Sequence, residues 1–127
     1  MNDIKEFISK YESLLAVGTS ISYTEAERRA GEFLVGMARI TDMKHLLSGD
    51  KIRLTSVQTA VYATLMAKGA AKTVTENKLN AEASEDYIKA REELESIEND
   101  ISYLKAYYDI LNNAHIFYRT MAKGVNE

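Results

Sequence analysis

Proline, cysteine and tryptophan are all missing from the 127 residues. Without proline, the turns of a loop-rich or all-β fold lose a residue they recruit for its fixed φ. Without cysteine there is no disulfide, no thiolate nucleophile and none of the cysteine-ligated zinc sites. Long apolar runs are missing too, and nothing approaches the ~18 uninterrupted apolar residues of a membrane-crossing helix. The N-terminus, Met1-Asn2-Asp3-Ile4-Lys5-Glu6, has no apolar secretion core and no glycine at position 2 for myristoylation. A cytoplasmic protein with no membrane contact and no cofactor is expected.

Charge is present but unevenly placed. The net charge of −3 argues by itself against nucleic acid. Yet residues 51–80 carry Lys51, Arg53, Lys68, Lys72 and Lys78 against Glu76 alone. Residues 81–101 then carry eight carboxylates, among them Glu92, Glu93, Glu95 and Glu98, against Lys89 and Arg91. A basic stretch followed by an acidic one is a dipolar pattern that the sum hides.

The apolar residues repeat at helical spacing. Ile4, Phe7, Ile8, Tyr11, Leu14 and Leu15 form one helix face, capped by Asn2 or Asp3 and stopped at Gly18-Thr19-Ser20. A second helix is expected from Thr24, where Thr24-Glu25-Ala26-Glu27 reads as a capping box. Its core face is Ala26, Ala30, Phe33, Leu34, Met37, Ile40 and Leu47, and Ser48-Gly49-Asp50 reads as the turn that ends it. Gly31 and Gly36 each cost ~1 kcal/mol against alanine and mark places where another backbone approaches. A third helix is expected from Thr55 or Ser56, with only small packing residues such as Val57, Ala60 and Val61, and Gly69 in its middle.

The last helix has the strongest pattern. Ser84 is its expected N-cap, followed by Glu85 and Asp86 at the positive end of the helix dipole. From Tyr87 the apolar positions alternate three and four apart through Ala90, Leu94, Ile97, Ile101, Leu104, Tyr108, Leu111, His115, Tyr118 and Ala122. This is a heptad seam, interrupted only by His115, which reads as a hydrogen-bonded core residue that fixes register. A second row, Tyr103, Tyr107, Ile110, Ala114, Phe117 and Met121, widens the apolar arc in the C-terminal half and places it inside a bundle.

Motifs that carry chemistry are scarce. Asp42 and His45 stand one helical turn apart, but no Glu-x-x-His pair accompanies them, and they read as a surface pair rather than a metal half-site. Gly69-Ala70-Ala71-Lys72-Thr73 fails as a phosphate loop, because Ala71 stands where Gly-Lys-Thr needs glycine and no strand precedes it. A helix-turn-helix around Ser48-Gly49-Asp50 has polar residues at Thr55-Ser56 but no tight basic flank. The five cations remain. They read either as a track for phosphates, with Tyr62 able to stack on an unpaired base, or as a solvated surface that balances the acidic helix.

The segment Thr73-Val74-Thr75-Glu76-Asn77-Lys78-Leu79-Asn80-Ala81-Glu82-Ala83-Ser84-Glu85-Asp86-Tyr87, with the seam helix ending Ile116-Phe117-Tyr118-Arg119-Thr120, resembles small helical phage proteins of replication and recombination regions. It is similar to the UvsY-type recombination mediators of T-even phages. That resemblance implies a helical homo-oligomer, single-stranded DNA binding, and a recombinase or single-strand-binding protein as partner. The chain departs from it in being acidic overall and poor in arginine.

The expectation is therefore a non-catalytic all-α bundle forming one domain. It has an N-terminal helical pair over 1–50 and a helical hairpin over 51–127 that ends in a long coiled-coil-like helix. Self-association is expected through Leu94, Ile97, Ile101, Leu104, Tyr108 and Leu111, and DNA contact through Lys51, Arg53, Lys68, Lys72 and Lys78. The alternative is a protein-binding adaptor that offers its acidic face to a basic partner without nucleic acid.

Overall fold

The structure, a computed structural model, describes residues 2–15 and 21–124, with side chains from residue 4 onward. Among the described residues it is all-α: α1 (Asn2–Leu15), α2 (Tyr23–Ala67), α3 (Val74–Glu82) and α4 (Glu85–Ala122). The expected stop at Gly18-Thr19-Ser20 lies outside them, as do the Asn2 and Asp3 side chains.

The largest departure from expectation is α2. It runs unbroken through Ser48-Gly49-Asp50 and through Thr55-Ser56, so the turn, the separate third helix and the helix-turn-helix reading all fall away. One helical glycine costs only ~1 kcal/mol, and no proline stands anywhere in the segment to remove a backbone donor. A longer-range pattern opposes that cost. Ala26, Phe33, Ile40, Leu47, Leu54 and Val61 lie seven residues apart, and each is buried or half-buried. The N-terminus of α2 is also shifted. Ser22 is the cap, its Oγ accepting from the Glu25 amide at 3.1 Å, and the Glu25 side chain turns to Arg28 and Arg29 instead of reaching back.

Helix α4 forms where the heptad seam predicts it, with the Ser84 carbonyl accepting from Ile88 N–H at 2.9 Å. It ends at Gly124, whose φ of 78° is a left-handed conformation that glycine adopts without steric cost.

The chain divides into two compact units, residues 1–44 with 103–127, and residues 45–102. The first holds most of the apolar core: α1, the first half of α2 and the second half of α4 bury Ile4, Phe7, Ile8, Tyr11, Phe33, Ile40, Leu104, Leu111 and Tyr118. Its centre is Tyr11, whose ring lies 6.2 Å from that of Phe33. Gly36 makes room for it, since a Cβ there would lie 2.8 Å from Tyr11 Cζ and 2.9 Å from Leu111 Cδ1. The approach expected at Gly36 is thus real but made by side chains, and Gly31 has open space around it.

The second unit is thin. Among its described residues Leu54, Ala81 and Ala90 are buried, together with Asp100. Helix α2 ends at Ala67 and the connection to α3 is held by one side chain. Asn77 Oδ1 accepts from Ala71 N–H at 2.9 Å, while Thr73 caps α3 by accepting from the Glu76 amide at 3.1 Å. Gly69 lacks the side chain that would strike Asn77. The Gly69–Thr73 segment is therefore an interhelical connection, not the helix interior that its alanines suggested.

Candidate functional site

The five cations predicted as one track fall into two groups. Lys51 and Arg53 are exposed on α2, with Arg53 loosely paired to Asp50 at 3.9 Å. Lys68, Lys72 and Lys78 lie at the other end of that helix and beyond it. Fifteen residues separate Arg53 from Lys68, about 22 Å of helix at 1.5 Å per residue.

Lys78 is the cation that the fold places beside aromatic rings. Tyr62 on α2 and Tyr87 on α4 meet with centroids 5.7 Å apart and planes tilted by 55°. Both line a cleft of about 290 Å³ with Lys78 and Glu82. Lys68 borders a neighbouring cleft of about 300 Å³ walled by Val61 and Leu65, and Asp86 borders it too. Each of these cations therefore has a carboxylate close by, which weakens the positive potential a phosphate would meet. The second unit as a whole carries seven cations against ten carboxylates, and the first carries nine of each. All of the net negative charge belongs to residues 45–102.

Glu92 and Glu95 are exposed on the back of α4, where Arg91 reaches Glu95 at 3.8 Å, and Glu93 and Glu98 are exposed on its flanks, Glu93 bordering a hollow with Val57 and Val61. On the opposite face Leu94, Ile97 and Ile101 are half-buried within the second unit. Leu104 and Leu111, expected at a contact between copies, are fully buried inside one chain, and Tyr108 is half-buried. Within the single chain these two side chains are already covered. The physical reason is that the first unit's three helix segments already close over that side of the seam.

The widened arc of α4 is only partly covered. Tyr107 is buried and Ala114 and Met121 are half-buried, but Tyr103, Ile110 and Phe117 remain 45%, 46% and 48% exposed. The arc was expected inside a bundle, and one edge of it faces outward. A shallow apolar hollow of about 470 Å³ between Tyr23, Phe117 and Met121 continues this edge.

His115 is placed as its seam position predicted. Its Nδ1 lies 2.8 Å from the Ala30 carbonyl, an acceptor, so Nδ1 carries the proton and donates. Beside it Arg29 donates to Tyr118 Oη at 3.1 Å and to Glu25 at 3.1 Å, while Arg28 reaches Glu25 at 2.6 Å. The hydrogen bonds from Arg28, then Arg29, hold the Glu25 carboxyl down at about 2. Tyr11 and Tyr107 are pushed above the ordinary tyrosine value, first by burial and then by Glu32 and Glu12 respectively. The Arg29–Tyr118–Glu25 set, which sequence reasoning missed, joins α2 to α4 across 89 positions of sequence that no local pattern spans.

Asp42 and His45 are each exposed on α2, and no group of three or more metal-ligating side chains occurs among the described residues. No helix among the described residues is long and apolar enough to cross a membrane. No family model, curated protein or solved structure matches the chain.

Proposed function

We propose that this protein is a non-catalytic, self-associating helical adaptor of the cytoplasm, in which one part assembles and the other part binds. The observation that carries the reading is the separation of charge. The charge-balanced first unit keeps an apolar edge open at Tyr103, Ile110 and Phe117, and the second unit holds the whole excess of carboxylates. Apolar stripes in a charge-balanced setting favour assembly, because copies approach without net repulsion. The exposed carboxylates at Glu92, Glu93, Glu95 and Glu98 suit a basic protein surface, with attraction screened beyond ~8–10 Å at physiological salt.

Affinity capture with the full chain tests this after nuclease treatment. A protein partner that survives nuclease, elutes with salt and is lost on combined Glu92→Lys, Glu95→Lys and Glu98→Lys substitution is the expected result. A partner indifferent to that reversal overturns the acidic-face assignment.

A second reading rests on the cleft at Tyr62 and Tyr87. Two aromatic rings with Lys78 beside them suit an unpaired base and its phosphate, which accords with the resemblance to single-stranded-DNA-binding mediators. Engagement of all five cations corresponds to a log-affinity against log-salt slope of about −3.5 on single strands. Division into two groups lowers the expected slope to about −2 for Lys68, Lys72 and Lys78 alone. A mobility-shift titration at low and high salt decides it, and absence of binding at low salt removes this reading.

A further inference from the structure

We infer that the outward edge of α4 is an isologous contact with a second copy of this chain, antiparallel, with Ile110 on the two-fold axis. The inference rests on the self-association half of the adaptor reading and assigns it a surface and a geometry. Tyr103, Ile110 and Phe117 are spaced seven and seven, so Ile110 is the midpoint of the stripe. A two-fold axis through that midpoint sets Ile110 against its own copy and each Tyr103 against the Phe117 of the other chain. A closed, self-complementary pair results, in which the stripe of each copy is used up by the stripe of the other.

Two features favour a second copy over an unrelated partner, and a third lowers the cost of contact. The stripe carries no charge at its neighbours three and four positions away between Tyr103 and Met121: Ala106, Tyr107, Asn113, Ala114, Thr120 and Met121 are all neutral. An uncharged stripe of this kind, with Asp109 at its margin, offers a charged partner little electrostatic selectivity, but it accepts its own copy without strong repulsion. The unit that bears it is balanced at nine cations and nine carboxylates, whereas residues 45–102 would repel their copies. The rings are also pre-ordered. Tyr103 packs on Tyr107 at 6.2 Å and Phe117 meets Tyr118 edge-on at 5.1 Å, so little side-chain freedom is lost on contact.

Size sets the expected strength. Large side chains bury roughly 150–250 Å² each, so three that are nearly half exposed offer about 300 Å² per copy. A standard interface takes about 800 Å² per partner, and the neutral rim must supply the rest. A seven-residue repeat drifts ~20° per heptad on a straight helix, so the contact stays short. The dimer should accordingly dissociate on dilution.

The chain has no cysteine, so single cysteines report the geometry cleanly. Under mild oxidation Ile110→Cys should cross-link to itself. Tyr103→Cys alone should not, because the two copies of position 103 lie about 21 Å apart along the axis, far beyond disulfide reach. Tyr103→Cys mixed with Phe117→Cys should cross-link. Light scattering on the unmodified chain should approach twice 14.3 kDa at high concentration, and Ile110→Asp should halve that mass with helicity retained by circular dichroism. Leu46→Asp, at a residue 70% exposed in the other unit, should leave the mass unchanged.

Self-linking of Tyr103→Cys as strong as that of Ile110→Cys would mean a parallel pair and overturn the geometry. A chain that stays monomeric at all concentrations, or a dimer indifferent to Ile110→Asp, overturns the surface. Capture of a basic partner by the acidic back is measured separately, so either failure is distinguishable from failure of the adaptor reading as a whole.

Discussion

The ring of Tyr11 fills the space where Gly36 would carry a side chain, 2.8 Å from the position of the missing Cβ. In an open helix position alanine gains ~1 kcal/mol over glycine. Here both Tyr11 and Leu111 are fully buried and have nowhere to go, so overpacking, at a cost of about 1–3 kcal/mol, outweighs the propensity gain. Gly36→Ala should therefore lower the urea midpoint. Gly31→Ala, with open space around it, should raise stability by ~1 kcal/mol. A Gly36→Ala variant as stable as Gly31→Ala would mean that Tyr11 is not held where the structure puts it.

The same ring bears a hydroxyl that is buried without a hydrogen-bond partner among the described residues. Leaving such a group unsatisfied costs about 1–3 kcal/mol, so Tyr11→Phe should be neutral to stabilising by ~1 kcal/mol. Tyr118→Phe should instead destabilise, because it removes the acceptor for Arg29.

The pH dependence of Tyr11 has a definite sign. Burial raises its value above the ordinary 10.0, so above pH 10 the unfolded chain gives up a proton that the fold retains. Stability then falls as pH rises, until the folded group also ionises. Tyr11→Phe should flatten this alkaline decline, and Tyr107, raised first by burial as well, should contribute in the same direction. Denaturant midpoints from pH 9 to 11 on the unmodified chain and on Tyr11→Phe check the assignment.

Glu25 titrates in the opposite sense. Its carboxyl is held at about 2 against an ordinary 4.5, so its contribution is complete above the ordinary range and fades as pH falls towards 2. The side chain is about a third exposed, so solvent and salt screen the effect. Glu25→Gln should make the melting temperature less steep between pH 4.5 and 2, and high salt should narrow the difference. An identical acid slope in the two proteins would exclude the Arg28 and Arg29 bonds as a source of stability.

Along α2 the local stability should change without any break in the helix. Residues 23–44 pack Phe33, Met37 and Ile40 into the first unit, whereas the later half buries Leu54 alone. Amide exchange follows local opening, which is easier where few apolar contacts are buried. Amides of residues 56–66 should exchange at least tenfold faster than those of 30–40. Uniform protection over the whole helix would contradict this division.

Much of this architecture was legible in side-chain periodicity. The seam from Tyr87 to Ala122 identified α4 and its inward face, and the 4–15 pattern identified α1. His115 was legible as a hydrogen-bonded position because a lone polar group on an apolar seam needs a partner. The candidate sites were less legible. Lys78 could be named, but its neighbours Tyr62 and Tyr87 come from different helices, and the carboxylates that face Lys68 and Lys78 are set by packing.

Spacing and the absence of proline were enough to show that the chain is helical and that the α1 face and the Tyr87–Ala122 seam turn inward, but not that Leu34 of the expected α2 core face is 53% exposed. Tertiary structure alone decided three things: that Ser48-Gly49-Asp50 stays helical, that Gly36 rather than Gly31 is crowded, and that Tyr103, Ile110 and Phe117 face outward. For the glycines the local preference differs by only ~1 kcal/mol, and for the three large side chains helical spacing names a face without saying what covers it. Distant side chains closing over one face contribute more than that, and a local pattern does not contain them.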